Sequence, residues 1–379
     1  MNPKSLIYFL FMSGCAIIYS QPSDTIYGKV KSVREQLSFL DGNRQNAKLS
    51  FNDGDYGHNG FMSPRRTKAQ FYNWWYHTDM VHYVNYYKDF NEKGQPTYET
   101  WFNKNGDTIR TYQYRYDRED HLIEVRQKWD DDKYSIDQYH YDYKGRLKTE
   151  IYISTYPPFY YGYSEYLYND QDQLAAERSF DQDGESTGLR YSYDSKGRKT
   201  KKILHSQGSW IKREDGVTSF ERDSIGFYRI QKEYSYNEAG ELIEVISYGD
   251  NNDNKYRSDY YQREKNGYEE GLLKRIEYIS NNNPEKEERL DSYRTYEYDQ
   301  DRRLLREAYT GPNFIHGTTL AEYSYNSDGN LIKLVYTFDN QTTTATFEYE
   351  FDAQKNWVKQ VKSLDGEKLF VWTRKIEYY

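Results

Sequence analysis

Residues 191–203 read Y-S-Y-D-S-K-G-R-K-T-K-K-I. Tyr191 and Tyr193 alternate with a serine, which places both rings on one face of a β-strand. Asp194 to Gly197 then supplies turn chemistry, because an aspartate can hydrogen-bond its own backbone and a glycine accepts positive φ. A second extended run follows the turn. The stretch therefore predicts a tight β-hairpin.

The same pattern, Y-x-Y-[DN]-x-x-G-x-L, recurs along most of the chain. Successive units lie 25 to 27 residues apart, except for two gaps of 43 and 62 residues. The longer gap has room for one degenerate unit near residues 260–262, so we predict about ten hairpins. The third position of the motif falls at Phe90, Tyr116, Tyr141, Tyr168, Tyr193, Tyr236, Tyr298, Tyr325 and Phe351.

The columns after the tyrosine have the chemistry of a turn. The next residue is Asn or Asp in each of these units, which are the types that open turns through side-chain-to-backbone bonds. Gly follows three residues later in several units, but Asp120, Asp172, Arg302 and Lys355 take its place in others. Arg and Lys adopt positive φ less readily than Gly or Asp, and the last turn, at Lys355, is expected to differ. Lys199 interrupts the leucine column that begins the return strands.

Composition favours a folded chain with thin sheets. The 379 residues include 45 tyrosines, and 18% of the chain is aromatic although only 36% is hydrophobic. Disordered chains are poor in aromatic residues, so the low mean hydropathy of -1.12 does not indicate disorder. The net charge is -8 and no basic block occurs, which argues against a nucleic-acid partner.

The first twenty residues have the features of a signal peptide. Lys4 forms a short positive region and residues 5–18 are almost free of polar side chains. Cleavage is predicted between Ser20 and Gln21, and the apolar run is short for a transmembrane helix. We therefore expect an exported protein, placed in the periplasm, at the outer-membrane surface or outside the cell.

Cys15 leaves an alternative open. Residues 12–15 read M-S-G-C, which resembles a bacterial lipobox and would give a lipid anchor on Cys15. The apolar run continues after this cysteine, where lipoproteins usually turn polar. Cys15 is the only cysteine, so its removal with the signal peptide would leave no thiol chemistry.

Three segments follow from these patterns. Residues 1–20 are the predicted signal peptide, and residues 21–80 are predicted to form an N-terminal strand, a loop and a cap. Residues 27–37 alternate as a strand does, whereas residues 41–66 are rich in Gly, Asn, Asp and Ser. Residues 81–379 are the predicted array of about ten hairpins, with no convincing helical periodicity.

The repeat resembles a known family. Residues 179–185, S-F-D-Q-D-G-E, followed by residues 191–198, Y-S-Y-D-S-K-G-R, resemble the RHS/YD repeat. The segments 28–33, 356–359 and 374–379 are similar to those of small secreted YD-repeat proteins of Bacteroidetes-type bacteria. The resemblance implies an all-β fold in which tandem hairpins form one elongated, twisted, spiralling antiparallel sheet. The open edges of such a sheet predict either capping by the chain ends or edge-to-edge self-association.

No enzyme motif stands out, so we expect no catalytic residue, metal or cofactor. The seven histidines show no metal-ligand spacing, and D-Q-D-G at residues 181–184 suits a hairpin turn as well as a calcium loop. No nucleophile elbow or phosphate-binding glycine loop occurs. A carbohydrate-active enzyme remains an alternative, and it would need two carboxylates about 5–10 Å apart in a cleft.

Exposed aromatic rings are the remaining functional signal. Trp74, Trp75, Trp101 and Trp210 are candidate platforms for a ligand, although such rings also serve as cross-strand pairs. The sequence favours a non-enzymatic exported module that binds a glycan or protein partner at the cell envelope. A structural envelope lipoprotein is a further alternative. A contiguous exposed aromatic patch would favour the binding module.

Overall fold

The computed structural model describes residues 26–40, 75–78, 81, 84–103, 106–130, 132–155, 159–181, 184–212, 218–249, 258–281, 287–311, 319–338 and 340–379. For residues 130, 184–186, 206–212, 218–227 and 338 it describes the backbone alone. The strands are β1 (Val30–Phe39), β2 (Asn85–Phe90), β3 (Pro96–Phe102), β4 (Thr108–Tyr116), β5 (Leu122–Asp130), β6 (Lys133–Tyr141), β7 (Leu147–Ser154), β8 (Tyr160–Tyr168), β9 (Leu174–Asp181), β10 (Gly184–Tyr193), β11 (Lys199–Lys212), β12 (Thr218–Tyr236), β13 (Leu242–Tyr248), β14 (Tyr261–Glu269), β15 (Leu272–Asn281), β16 (Arg289–Tyr298), β17 (Leu304–Thr310), β18 (Thr319–Tyr325), β19 (Leu331–Phe338), β20 (Gln341–Phe351), β21 (Trp357–Leu364) and β22 (Glu367–Tyr378).

The strands form one closed antiparallel sheet. Each strand from β2 to β21 pairs with the next strand in sequence, and β1 pairs with both β2 and β22. Every strand of the described chain therefore has two neighbours. The predicted all-β antiparallel hairpins are confirmed, whereas the elongated open spiral is wrong. The physical reason is β1, which covers the edges of β2 and β22 and so joins the two ends of the array into a ring.

The turns explain the Asn/Asp column. In the turn from β6 to β7, Asp142 Oδ1 accepts the backbone N–H of Lys144 at 2.9 Å and of Arg146 at 3.0 Å. The fourth residue of such turns takes positive φ even where it is not glycine, with 64° at Arg302 and 65° at Lys355. The expected difference in the last turn, at Lys355, is therefore wrong, because the Asp352 side chain holds the same turn. The degenerate unit is the β14–β15 hairpin, which turns at Glu270 and Gly271.

A second repeated bond explains why the third position of the motif is so often Tyr. The hydroxyl of the tyrosine at this position donates to a backbone carbonyl at the start of the preceding strand. Tyr193, for example, donates to the carbonyl of Leu174 at 2.7 Å. That carbonyl lies where neighbouring strands diverge, so the phenol satisfies an acceptor at the strand end. At Phe351 the bond is made by Tyr349 instead, to Leu331 at 2.6 Å. The other members are Tyr116, Tyr141, Tyr168, Tyr236, Tyr298 and Tyr325.

The two faces of the ring differ in burial. Tyr298 and Tyr325 of the tyrosine column pack against the hydrophobic core cluster, so the face that carries the column is the inner, concave face of the closed sheet. One hydrophobic core cluster joins inner-face side chains of β15–β22 with those of β1–β4. We call these twelve strands the packed half and β5–β14 the thin half. Among the described side chains of the thin half, the fully buried hydrophobic ones are Ile230 and Val245.

A helical turn at residues 75–77 fills part of the packed half, although the sequence predicted no helix. Trp75 packs edge-on against Trp372, with ring centroids 5.4 Å apart. Lys362 is fully buried, and its Nζ donates to the carbonyls of Trp75 at 2.9 Å and Thr78 at 2.6 Å. The ammonium group thus satisfies carbonyls at the end of the helical turn. These contacts fix the turn on the inner face of β21 and β22.

Candidate functional site

Two of the four tryptophans predicted as ligand platforms lie in the core. Trp75 and Trp101 are 2% and 1% exposed, so both rings belong to the core. Trp101 packs on Tyr86 with centroids 4.9 Å apart, and its indole N–H donates to Glu99 at 2.6 Å. Trp210 lies in β11 opposite Phe220 of β12, where the backbone alone is described. Trp74, the cleavage position at Ser20 and Gln21, and Cys15 lie outside the described residues.

A different aromatic surface is exposed on the outer face of β7–β9. We call it the outer aromatic patch. Phe159, Tyr161, Tyr163 and Leu167 are 58%, 45%, 37% and 47% exposed. The strand register places Ile153 beside Tyr161 and places Ile151, Tyr163 and Phe180 in one row across three strands. The patch consists of Ile151, Ile153, Phe159, Tyr161, Tyr163, Leu167 and Phe180.

The rings in the middle of the patch stack on each other. Tyr163 and Phe180 lie 4.5 Å apart between centroids with an interplanar angle of 6°, so each ring covers one face of the other. The Arg178 guanidinium lies 5.0 Å from the Phe180 centroid and 3.5 Å from a Glu165 oxygen. The stack therefore removes one face of each ring from the exposed surface.

Sequence reasoning missed this patch, although a signal was present. In several outgoing strands, such as β4, β18 and β20, the aromatic residues keep to alternate positions, which gives one aromatic face. Residues 159–163 read F-Y-Y-G-Y, so aromatic side chains occupy both parities of β8. Tyr160 points to the inner face, where its ring lies 5.9 Å from that of Tyr152. The odd-numbered rings are left on the outside, where nothing in the described chain covers them fully.

The inner face of the thin half carries carboxylates among the tyrosines. The hydroxyl of Tyr166 donates to Glu150 at 2.8 Å, and that of Tyr191 donates to Glu177 at 2.8 Å. Asp137 lies diagonally across the β6–β7 pair from Glu150. Burial, together with the negative charge of Glu150, raises the pKa of Asp137 to about 6. This carboxyl can therefore hold a proton in mildly acidic conditions, which ordinary aspartates do not.

One cluster of potential metal ligands proves to be a turn. Asp117, Glu119 and His121 offer ligand atoms within 4.8 Å of one another. His121 Nδ1 lies 3.1 Å from Asp117 Oδ2, and its ring stacks on Tyr141 at 4.6 Å. In the next turn Arg146 takes the same position, bonded to Asp142 and lying 4.3 Å from the Tyr168 ring. His121 thus fills the structural place that arginine fills in other units.

Comparisons with known proteins give weak likenesses only. No family model matches the chain, and no curated protein matches it. A porin-like protein from Bacteroides uniformis is 14% identical over 67% of this chain and 96% of its own, with a TM-score of 0.25. A porin-like protein from Bacteroides vulgatus is 10% identical over 77% and 96%, with a TM-score of 0.18. The Tc holotoxin pore of Photorhabdus luminescens is 11% identical over 76% of this chain and 24% of its own, with a TM-score of 0.16. Likenesses at these scores carry no functional argument.

A search of the described residues for membrane-crossing helices found none of sufficient length and apolar character.

Proposed function

We propose that this chain is an exported, non-enzymatic scaffold of the RHS/YD-repeat type that binds a protein partner through the outer aromatic patch. The observation that carries the proposal is the concentration of exposed rings on β8 and the residue before it. Four members of the patch, Phe159, Tyr161, Tyr163 and Leu167, are among the fifteen exposed large hydrophobic residues of the described chain. Exposed apolar side chains scattered singly need no explanation, whereas a contiguous patch marks an interaction surface.

The geometry of the patch favours a protein over a glycan. A sugar ring packs against an open aromatic face, and the stack between Tyr163 and Phe180 takes up one face of each of these two rings. Ring edges, aliphatic side chains and a tyrosine hydroxyl beside an arginine are instead the composition of protein-binding surfaces. Ile151 and Ile153 continue the patch on the neighbouring strand.

We place the ring in an aqueous part of the envelope. Charged side chains occur on the outer face of the ring, in the middle of its strands. Among them are Arg126, Arg178 and Arg306, whose side chains are 48%, 42% and 44% exposed. Each arginine at the middle of a bilayer would cost about 2–4 kcal/mol. Such a surface is suited to contact with water and with another protein.

Site-specific photo-cross-linking in the producing cell tests the proposal. A photoreactive phenylalanine replaces Tyr161 in the patch or, as a control, Arg306 on the opposite part of the ring. We expect a discrete cross-linked protein from position 161 and none from position 306. The product should disappear with Tyr163→Ser and persist with Tyr228→Ser, which removes an outer aromatic ring that is 39% exposed and lies outside the patch.

A glycan array with the mature chain, residues 21–379, supplies the competing outcome. A glycan hit that is lost with Tyr163→Ser and kept with Tyr228→Ser would replace the protein partner by a glycan. Equal cross-linking from both positions, together with an empty array, would show that the patch is not a binding site.

A further inference from the structure

The strand β1 differs from every other strand in how it enters the ring. Its neighbours in space are β2, reached through the connection of residues 40–84, and β22 at the other end of the chain. All the remaining pairs are made between strands that follow each other in sequence. The ring is therefore closed by one segment that inserts between two edges and is held to the rest by a long connection.

The groove that receives β1 is specific. Val33, Glu35 and Leu37 point to the inner face and are 1%, 1% and 2% exposed. Arg374 of β22 lies 2.7 Å from Glu35 and 3.8 Å from the centre of the Trp357 ring. The indole N–H of Trp372 donates to the same carboxylate at 3.1 Å. An occupant of the groove thus needs a carboxylate with an aliphatic residue two positions to each side.

During synthesis, β1 is made well before its partner strand β22. The N-terminal strand is made first, whereas β22 is made last, so β1 stays without its main partner until the array is complete. A β1 strand from a second copy would make the same contacts as the chain's own. Only the tether favours the chain's own strand. The tether is at most residues 40–74, because the helical turn at residues 75–77 is fixed to β21, and it raises the local concentration to about the millimolar range at most. Two unfinished rings held close together can therefore exchange β1.

We propose that the groove between β2 and β22 is a docking site for β1 of a second copy, and that the chain forms a strand-exchanged dimer when folding occurs at high local concentration. This interaction is independent of the outer aromatic patch, which lies on β7–β9. Both rings of the dimer are closed, so no strand edge is left open.

Charge reversal in the full-length chain tests the exchange. One variant is Glu35→Arg and the other is Arg374→Glu, so each variant alone places like charges in its own groove. Breaking a buried ion pair in this way should lower the folding equilibrium constant by about two to three orders of magnitude. In an exchanged dimer of the two variants, both grooves again hold opposite charges. We therefore expect the refolded equimolar mixture to yield a dimer by native mass spectrometry, with thermal stability above that of either variant alone.

The double variant Glu35→Arg/Arg374→Glu is the control, because it can restore the ion pair within one chain and should fold as a monomer at low concentration. If it folds while the mixture stays as unstable as the separate variants and yields no dimer, the exchange is overturned.

Disulfide trapping decides the case in which the charge variants do not fold. With Cys15→Ser in every chain, Gln36→Cys and Thr373→Cys occupy facing positions on the outer side of the seam. Separate chains carrying one cysteine each should form a linked dimer after refolding together, in a yield that rises with concentration. The pair Ser38→Cys and Lys375→Cys is out of register and should give none. Linkage within the chain of the in-register double variant, with no linkage between chains, would overturn the proposal.

Discussion

The packed half and the thin half are built from the same hairpin but are stabilised differently. In the packed half, inner-face side chains meet the helical turn at residues 75–77 and form one buried cluster around Trp75, Trp101 and Trp372. In the thin half, most of the described inner side chains are half-buried. They form local hydrogen bonds, from tyrosine hydroxyls to carboxylates and from tyrosine hydroxyls to carbonyls at strand ends. A single repeat can thus serve either as the wall of a core or as a self-supporting sheet, depending on what lies against its inner face.

The buried ion pair should show the largest difference between the halves. Arg374→Met leaves Glu35 buried without its charge partner, and removal of one partner of such a pair costs about 3–5 kcal/mol of unfolding free energy. In the thin half, Glu177→Gln weakens only a bond from the Tyr191 hydroxyl, which is worth about 1 kcal/mol. Urea unfolding of both variants measures the difference.

A matched control separates the lost charge partner from lost packing. Glu35→Leu combined with Arg374→Met replaces the pair by apolar side chains of similar size, and it should recover most of the stability lost with Arg374→Met alone. Equal losses for Arg374→Met and Glu177→Gln would remove the energetic distinction between the halves.

Acid should destabilise the packed half through His77. Burial, and then the nearby charge of Lys362, lower the pKa of His77 from 6.5 to about 4. Between these values the unfolded chain binds more protons than the folded chain, so stability present above pH 6.5 is lost as the pH falls towards 4. The loss amounts to about 3 kcal/mol. His77→Gln should flatten this part of the pH–stability curve, and an unchanged curve would show that His77 is not the responsible group.

The thin half should respond to pH in the opposite direction through Asp137. Its folded pKa of about 6 lies above the ordinary value of 3.8, so the folded chain binds the extra proton and stability falls as the pH rises from 4 to 6. Asp137→Asn removes that charge and should stabilise the protein at pH 7 by about 1–2 kcal/mol, given partial exposure. The gain should vanish near pH 4. Melting temperatures of the two proteins at both pH values test this, and a gain that persists at pH 4 would contradict the assignment.

Local features of the fold could be predicted from sequence because they repeat. The spacing of the Tyr, Asn/Asp and Gly columns gave hairpins and turns, since each depends on residues within about ten positions. Ring closure depends on pairing between β1 and β22, which lie more than 320 residues apart in sequence, and β1 lies outside the predicted array. The sequence of a single hairpin does not indicate what the last strand of the array pairs with.

The candidate site was harder to predict for a related reason. Tryptophan offers the largest ring for an exposed platform, but the largest ring also fills a core best, and Trp75 and Trp101 are buried. The exposed rings are Tyr and Phe side chains at the odd-numbered positions of β8 and the residue before it. Because Tyr160 points to the inner face, the odd-numbered side chains point to the outer face. Whether a residue is at an even or an odd position of the strand, rather than its type, therefore predicts whether its ring is exposed.

The smallest expected effect lies in the phenol bonds at the strand ends. Tyr193→Phe frees the carbonyl of Leu174 in the thin half, where water can replace the phenol, so the loss should be about 0.5 kcal/mol. Tyr325→Phe frees the carbonyl of Leu304 beside the buried cluster, where an unsatisfied acceptor costs about 1–3 kcal/mol. Tyr143→Phe, at a turn position that is 91% exposed, is the control and should change nothing. Urea midpoints of the three variants rank the losses, and a larger loss for Tyr193→Phe than for Tyr325→Phe would mean that the thin half, too, excludes water from its strand ends.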